Sequence, residues 1–501
     1  PALSSGSIAH VAYTLSFPDA RFASSHFFGD SYPTEESSLT VICDEGIEVD
    51  VKLFNVPDSM LIRSTGKEKG RNVQRFAMRR IPAVRFESNA PSFYYYVPHA
   101  QLVVNVPGTA EAGDATSRLY QWYTEHVEQA FADIPEPLRL LSDSITAGLS
   151  DPRDKAAHLF RWVQDKVQYV AIEDGMNGFI PANAMDVCRA RYGDCKGMSN
   201  LLRTLLQSAG LDAHLAWVGT TQLPYTYAEL PTSANSNHMI VALDMADTTL
   251  FLDPTSRHSA FGVPSGFIQG KEALIGMDKE RHRVQRIPVM PASYSTVHDS
   301  VRGRLTESTF NGQGVVRFTG YKRHRITDAL RDNTPEKRLQ VMRQVLMKGS
   351  NAFLLDSIDV QGLDDREGPL TVSYRFRIPD LARQVGSKSY MPLTLSDPWK
   401  ALRVFEDRKL PIHLEYCSIE HYSVTLELPP GATCSGIPDT FDSGTENFNI
   451  RIDHTLQPST ITSEARFTTN ELMIRSDMDA WRKLNTAYLK ERGRTLVIET
   501  P

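Results

Sequence analysis

One short run, Arg191-Tyr192-Gly193-Asp194-Cys195-Lys196-Gly197-Met198, sets a cysteine directly before a stretch of clear helical period. Apolar Met198, Leu201, Leu202 and Leu205 recur at i, i+3, i+4 and i+7, and Gly210 supplies a stop signal. A helix is therefore expected to begin at Cys195. The N-H groups at a helix N-terminus carry partial positive charge, which favours thiolate over thiol. Cys195 is on these grounds the candidate nucleophile, and the middle of the chain must fold so as to present it.

A nucleophilic thiol needs a base and a group that orients the base. Asn237-His238-Met239-Ile240-Val241-Ala242-Leu243 and Leu250-Phe251-Leu252-Asp253-Pro254-Thr255 both read as strands, with Met245-Ala246-Asp247-Thr248 as a polar turn between them. With an even number of residues in the connection, Ile240 pairs with Asp253 and His238 with Thr255. His238 and Asp253 then share one face as diagonal neighbours, within reach of a hydrogen bond. His238 is the candidate base and Asp253 its orienting carboxylate. His214, in the strand-like Ala213-His214-Leu215-Ala216-Trp217-Val218, and His258, in a polar loop, are rival bases, and neither has a carboxylate so well placed in the sequence. The plainer alternatives are an inert buried cysteine, a core histidine and a turn started by Asp253 before Pro254.

Tyr192 to Lys196, Asn237-His238 and Leu252-Asp253-Pro254-Thr255 together resemble the bacterial transglutaminase-like branch of the papain-like superfamily, in the order Cys, His, Asp. Ala156 to Tyr169 is similar to that family's leading helix and its exit, and Phe179-Ile180-Pro181 to the loop before the cysteine. The likeness covers roughly the middle third, and many relatives carry an acidic residue where Gly197 stands. It implies a papain-like α+β domain and acyl transfer through a thioester. An acyl-transfer site also needs donors for the developing oxyanion. The Cys195 N-H is one. By resemblance and rough position Tyr169 is the second, with a core tyrosine whose hydroxyl reaches the surface as the alternative.

At 501 residues the chain is too long for a single core, so two to four domains are expected. A formal net charge of -6 leaves no basic footprint for nucleic acid, and Arg323-His324-Arg325 near Lys337-Arg338 reads as solvated surface. The five cysteines, Cys43, Cys188, Cys195, Cys417 and Cys434, are odd in number and scattered without CxxC spacing. Neither a disulfide framework nor a metal site is indicated, and no cofactor is expected. Cys417 and Cys434 read as two buried thiols that could pair only in an exported protein. No apolar run reaches the length of a membrane span. The chain opens at Pro1 without an initiator methionine. That raises the expectation of a removed leader and an extracytoplasmic place, periplasmic or at the cell surface.

Along the chain, short apolar segments such as Leu39 to Cys43, Ile47 to Leu53 and Phe93 to Val97 alternate with turn residues. They suggest a β-sandwich, and the region resembles the β-rich module of unknown function that often precedes transglutaminase-like domains in bacterial exported proteins. The run Phe93-Tyr94-Tyr95-Tyr96 fits either a carbohydrate or peptide surface or a strand facing two ways. From Asp114 the period turns helical, with Leu119, Tyr123, His126, Val127 and Ala130 on one face. Asp151 caps a helix with Pro152 at its first position and Ala156, Leu159, Phe160, Val163 and Val167 as its buried stripe. Strands return after Pro291, among them Gly314 to Thr319, Leu370 to Ile378 and Tyr422 to Leu428. One helix opens at Thr334-Pro335; another opens with Ser476 and Asp479 in capping-box spacing and buries Trp481, Leu484 and Tyr488.

The fold class expected is α+β in three parts. Residues 1–108 form a β-rich domain, 109–286 the transglutaminase-like domain and 287–501 a mainly β domain with helices, with boundaries at Pro107-Gly108 and Ile287 to Pro291. The expected activity is cysteine-dependent acyl transfer on a peptide or carboxamide substrate. Water as acceptor makes a protease or amidase, and an amine makes a transglutaminase. The rival is a silent scaffold whose β domains bind protein or glycan at the cell surface.

Overall fold

The computed structural model describes residues 6–17, 19–23, 25–105, 114–127, 133–171, 178–403, 408–475 and 477–501. The fold is α+β, with a central core of helices on a sheet and extensive β-sheet on either side of it in sequence. The chain separates into two compact units. The first comprises the described residues of Pro1–Arg85, Phe93–Trp122 and Tyr225–Asn237, and the second holds the rest.

The first unit is built from two three-stranded sheets. Glu48–Phe54 and His26–Phe27 flank His99–Asn105 in one, and Thr34–Cys43 and Leu61–Glu68 flank Arg71–Ile81 in the other. Lys69 and Gly70, both at positive φ (48° and 81°), turn Leu61–Glu68 into Arg71–Ile81. Their left-handed conformation matches the natural twist of a two-residue hairpin. Phe76, Met78 and Ile81 from the second sheet pack with Phe28 and Ala100 to form the core. Tyr225 joins this unit through its hydroxyl, which meets His99 Nε2 and accepts from Gln101 Nε2 at 3.0 Å. One expected strand is corrected: Phe93–Tyr95 is a single 3-10 turn. The Tyr96 and Val97 N-H groups both donate to Phe93 O (3.1 and 2.9 Å), and Pro98, which has no N-H to give a ladder, follows. Phe93 and Tyr94 stack on each other and pack edge-on to Phe27. The expected boundary at Pro107-Gly108 and the expected helical Ala130 lie outside the described residues.

In the second unit the helix Pro152–Lys166 starts as its sequence requires. The Asp151 carboxylate accepts from the Arg153 and Asp154 N-H groups (2.7 and 3.1 Å), and Pro152 occupies the first position, where no N-H is missed. Leu159, Phe160 and Val163 pack with Leu201, Leu202 and Leu205 of the helix Cys195–Ser208, the cysteine helix. A further helix, Glu136–Thr146, has Pro135 at its N-cap and adds Leu138 to this core. The cysteine helix is buried from Lys196 through Leu206, so it lies in the middle of its layer rather than at a surface. Leu202 is fully buried there. Leu202→Ala is expected to lower unfolding free energy by about 2–5 kcal/mol, by lost burial and an unfilled cavity. Urea denaturation measures it, and a change under about 0.5 kcal/mol, the level of an ordinary surface substitution, would contradict this packing.

Beneath the helices lies a five-stranded antiparallel sheet in the order Thr248–Leu252, His238–Met245, Asp212–Val218, Glu272–Gly276, His282–Arg286. Ala213, Val241 and Leu243 face the cysteine helix, whereas Ala216, Val218, Ile240 and Ala242 face the opposite way, into a second core with Phe251, Ile268 and Ile275. This is the period of two expected of a strand covered on both faces.

The C-terminal part of the unit is dominated by an eight-stranded sheet. Its strands are antiparallel except where Thr296–Thr306 runs parallel to Ser418–Glu427. Leu370–Ile378 and the helix Pro335–Leu346, with Thr334 as its cap, stand where the sequence puts them. Trp481, Leu484 and Tyr488 are the buried face of Met478–Arg492. That helix is capped by Asp477 without a side-chain bond; Ser476 lies outside the described residues, and Asp479 pairs forward with Arg482. The reading of Arg323-His324-Arg325 as solvated surface is corrected at Arg323. It is 1% exposed and donates to Gly362 O at 3.2 Å, because neighbouring residues of the helix Gly320–Leu330 point to different sides. Hydrogen bonds from Tyr321 Oη to Pro264 O (2.5 Å) and from Gln269 Nε2 to Glu415 O (3.1 Å) link residues on the two sides of Ile287. Among the described residues no helix is long and apolar enough to cross a membrane.

Candidate active site

Cys195 is the first residue of the cysteine helix and is half-buried. Asp194 is its N-cap: the carboxylate accepts from the Gly197 N-H at 2.8 Å, and the Asp194 C=O accepts from the Met198 N-H at 2.9 Å. Its other carboxylate oxygen meets the ammonium of Lys196, and both side chains are buried. The helix start is thus held by an ion pair and a cap rather than by the cysteine itself. A Cβ at Gly197 would lie 3.0 Å from a Val187 methyl and 3.4 Å from Ala182, so any side chain there requires Val187 to give by a few tenths of an ångström.

The hairpin follows the even register. Met245 pairs with Thr248 across the turn, and the ladder runs to Val241 opposite Leu252, which sets Asp253 one step beyond and diagonal to His238. His238 Nε2 lies 3.0 Å from Asp253 Oδ2. The Cys195 sulfur stands near enough to the same imidazole to favour its charged form. With Nε2 committed to Asp253, Nδ1 is the nitrogen left for sulfur. Phe267 stands edge-on to the ring, with centroids 5.3 Å apart. Cys195, His238 and Asp253 are therefore brought together.

Asp253 is 1% exposed, and its carboxylate is filled with donors. Oδ1 accepts from the Thr255 N-H (3.1 Å) and hydroxyl (2.6 Å), and Oδ2 accepts from the Ser265 hydroxyl (2.7 Å) as well as from His238. Burial alone would push this carboxyl up. His238 and the hydroxyls of Thr255 and Ser265 outweigh burial and hold it below the ordinary carboxylate range. At His238 burial likewise opposes the charged form. The Asp253 carboxylate, by charge and hydrogen bond, and the Cys195 sulfur overcome it and raise the imidazole to about 10.

Tyr169 lies in a short parallel pair, Gln168–Tyr169 with Tyr192–Gly193, directly opposite Gly193, which precedes Cys195 by two residues. It is 45% exposed, so the alternative of a packed core tyrosine does not describe it. A cleft of about 610 Å³ opens here, lined among others by Gln168, Tyr169, Arg191, Met198, Pro254 and Thr255.

The rival histidines also lie near carboxylates. His214 Nε2 is 2.9 Å from Asp212 Oδ1, and His258 Nδ1 meets Asp328. Those partners come from two residues upstream and from a helix 70 residues away, neither of which the hairpin argument considers. His214 is displaced by four residues from Val218, the register partner of His238, or about 13 Å along the strand. Thr255 and Ser265 were not foreseen as partners of Asp253. An Asp followed two residues later by a hydroxyl is a local turn signal, whereas Ser265 leaves no mark in the sequence.

Residues 139–245 match the family model described as "Transglutaminase-like superfamily". The chain carries a transglutaminase-like domain. No curated protein matches it significantly. A solved structure from Parabacteroides distasonis, described as a "putative protease", is similar to it with a TM-score of 0.58 at 12% identity, over 95% of this chain and 75% of that one. This is a likeness of fold that extends well beyond the transglutaminase-like segment. A structure from Cytophaga hutchinsonii, described as a "putative cysteine protease", covers 46% of this chain and 74% of its own at 13% identity, with a TM-score of only 0.21.

Proposed function

We propose that this transglutaminase-like protein is a cysteine-dependent acyl-transfer enzyme acting on peptide or carboxamide substrates. The observation that supports it most is that His238 stands beside the Cys195 sulfur and is hydrogen-bonded to the buried, fully hydrogen-bonded Asp253. A merely structural histidine has no need of a thiol on one nitrogen and a four-donor carboxylate on the other.

In the reaction, Cys195 sulfur, its proton held on His238 Nδ1, adds to the substrate carbonyl carbon. The developing oxyanion is received by the Cys195 N-H, which the helix itself does not use, and by the Tyr169 hydroxyl. As the C–N bond breaks, His238 gives its proton to the departing amine, leaving a thioester on Cys195. Water or a second amine then attacks, His238 takes its proton, and the C–S bond breaks to restore the thiol. Asp253 keeps Nε2–H directed at itself, so that Nδ1 always faces sulfur. Water yields an acid, as in a protease or amidase; a primary amine yields a new amide.

Two measurements test this together. Iodoacetamide at about pH 6 is expected to label Cys195 before the other four cysteines, because a base stands beside it to activate the nucleophile. Burial pushes the Cys417 thiol up to about 11 and raises that of Cys434, so both should lag. A panel of peptides, with and without a primary amine, then distinguishes acid from amide products. If Cys195 labels no faster than Cys43, the site is inert.

A further inference from the structure

At the end of the strand His238–Met245 remote from His238, three side chains converge for which acyl transfer has no use. Asp212 and His214, two residues apart, share one face of Asp212–Val218, and Asp244 stands directly across from Asp212 in the antiparallel register. One donor atom from each lies within 4.8 Å of the other two. His214 Nε2 is 2.9 Å from Asp212 Oδ1 and 3.8 Å from Asp244 Oδ2.

The His214 side chain is 7% exposed, and its Nε2, although near both carboxylates, makes no hydrogen bond to either. The nearest oxygen is at bonding distance but off the direction in which an N-H could donate. A buried ring nitrogen left so is costly, and native structures rarely tolerate it without a partner. The carboxylates point the same way: like charges directly opposite each other across two strands repel. Asp244 Oδ1 is already taken by Arg283 Nη2 (2.6 Å) and the Thr249 hydroxyl (2.7 Å), which leaves Oδ2 as the oxygen facing His214. Hydrogen bonds of this kind on the far oxygen are what orient a carboxylate that binds a metal through the near one. The residue opposite His214 is Ala242, whose small side chain does not crowd the ring.

We propose that Asp212, His214 and Asp244 form a binding site for a divalent first-row transition cation such as zinc. One imidazole nitrogen with two carboxylate oxygens suits such an ion better than calcium, which prefers six to eight oxygens, or magnesium, which keeps its waters. Two carboxylates and the guanidinium of Arg283 leave one net negative charge facing the cation. Asp212, its side chain 68% exposed, opens the site to solvent. The site is six residues from His238 along the strand, about 20 Å, so its role is to fasten the ends of two adjacent strands and not to take part in the chemistry. It does not depend on the acyl-transfer reading.

Zinc would also bind the thiol and imidazole of Cys195 and His238, so the test uses the full-length Cys195→Ala protein. Calorimetric titration with zinc chloride is expected to show a binding event, and zinc is expected to raise the thermal unfolding midpoint. Adding Asp212→Asn, an exposed change that leaves the core intact, should weaken zinc binding by about tenfold or more and remove the shift in midpoint. His214→Gln should do the same from the buried side. Cobalt(II) in place of zinc should give d–d absorption without a thiolate charge-transfer band. Equal zinc affinity with and without Asp212→Asn, or no binding at millimolar zinc, overturns the proposal.

Discussion

Cys195→Ala and His238→Ala are each expected to lower turnover, on a substrate found by profiling, by on the order of 10⁶-fold, and the double variant by little more than either. Residues that act as one unit are not additive: once the nucleophile is gone, a base has nothing to activate, and once the base is gone, the thiol has lost the group that takes and returns its proton. The residual rate comes from substrate positioning and the oxyanion donors alone. Both variants should remain folded. Cys195 is half-buried at a helix start already held by Asp194 and Lys196, and its replacement by Ala removes one sulfur. His238→Ala strips a partner from the buried Asp253, yet Thr255 and Ser265 still donate to that carboxylate. Initial rates and thermal unfolding of the three proteins check this. Full activity in Cys195→Ala, or losses that multiply in the double variant, would mean that the reacting group lies elsewhere.

What could be read from the sequence depended on how far apart the interacting residues are. The cysteine helix was legible because its apolar residues repeat within one element; that Asp194 caps its start is seen only in the structure. The diagonal placement of His238 and Asp253 was legible because a hairpin register is fixed by a short turn, here Ala246 and Asp247 between paired Met245 and Thr248. Other features escaped. The helix Glu136–Thr146 follows a proline-marked entry that periodicity alone did not flag. The aromatic run at Phe93 has strand-like composition, but its turn is set by backbone bonds to Phe93 O and by the proline behind it. Ser265 and Asp328 reach their partners only through tertiary folding. So does the convergence of Asp212, His214 and Asp244, which needs the pairing of strands separated by a connection of 19 residues, from 219 to 237.

Asp253→Asn is expected to cost on the order of 10⁴-fold in turnover, less than loss of the nucleophile, because it disturbs the base without removing it. An amide offers an N-H as well as an oxygen to His238 Nε2, so the ring orientation that turns Nδ1 toward sulfur is no longer enforced. The more telling readout is pH. In the wild-type protein the Asp253 charge holds His238 protonated up to about 10, so kcat/KM should keep its plateau until pH rises through that value and fall beyond it. Asn carries no charge, and burial, which opposes the imidazolium, is then answered by the Cys195 sulfur alone. The alkaline limb should therefore move down toward or below 6.5, the ordinary value of histidine. Stability shifts with the same sign. A raised folded-state pKa contributes fully below about 6.5 and is lost as pH climbs through about 10, so urea stability of the wild type should fall across that window, and that of Asp253→Asn should change little there. The depressed Asp253 carboxyl makes the opposite contribution, present at neutral pH and lost only in acid. An alkaline limb that stays in place after the substitution would show that His238 does not owe its charge to Asp253. The carboxylate would then be a structural clamp on Thr255 and Ser265 with no part in directing the base.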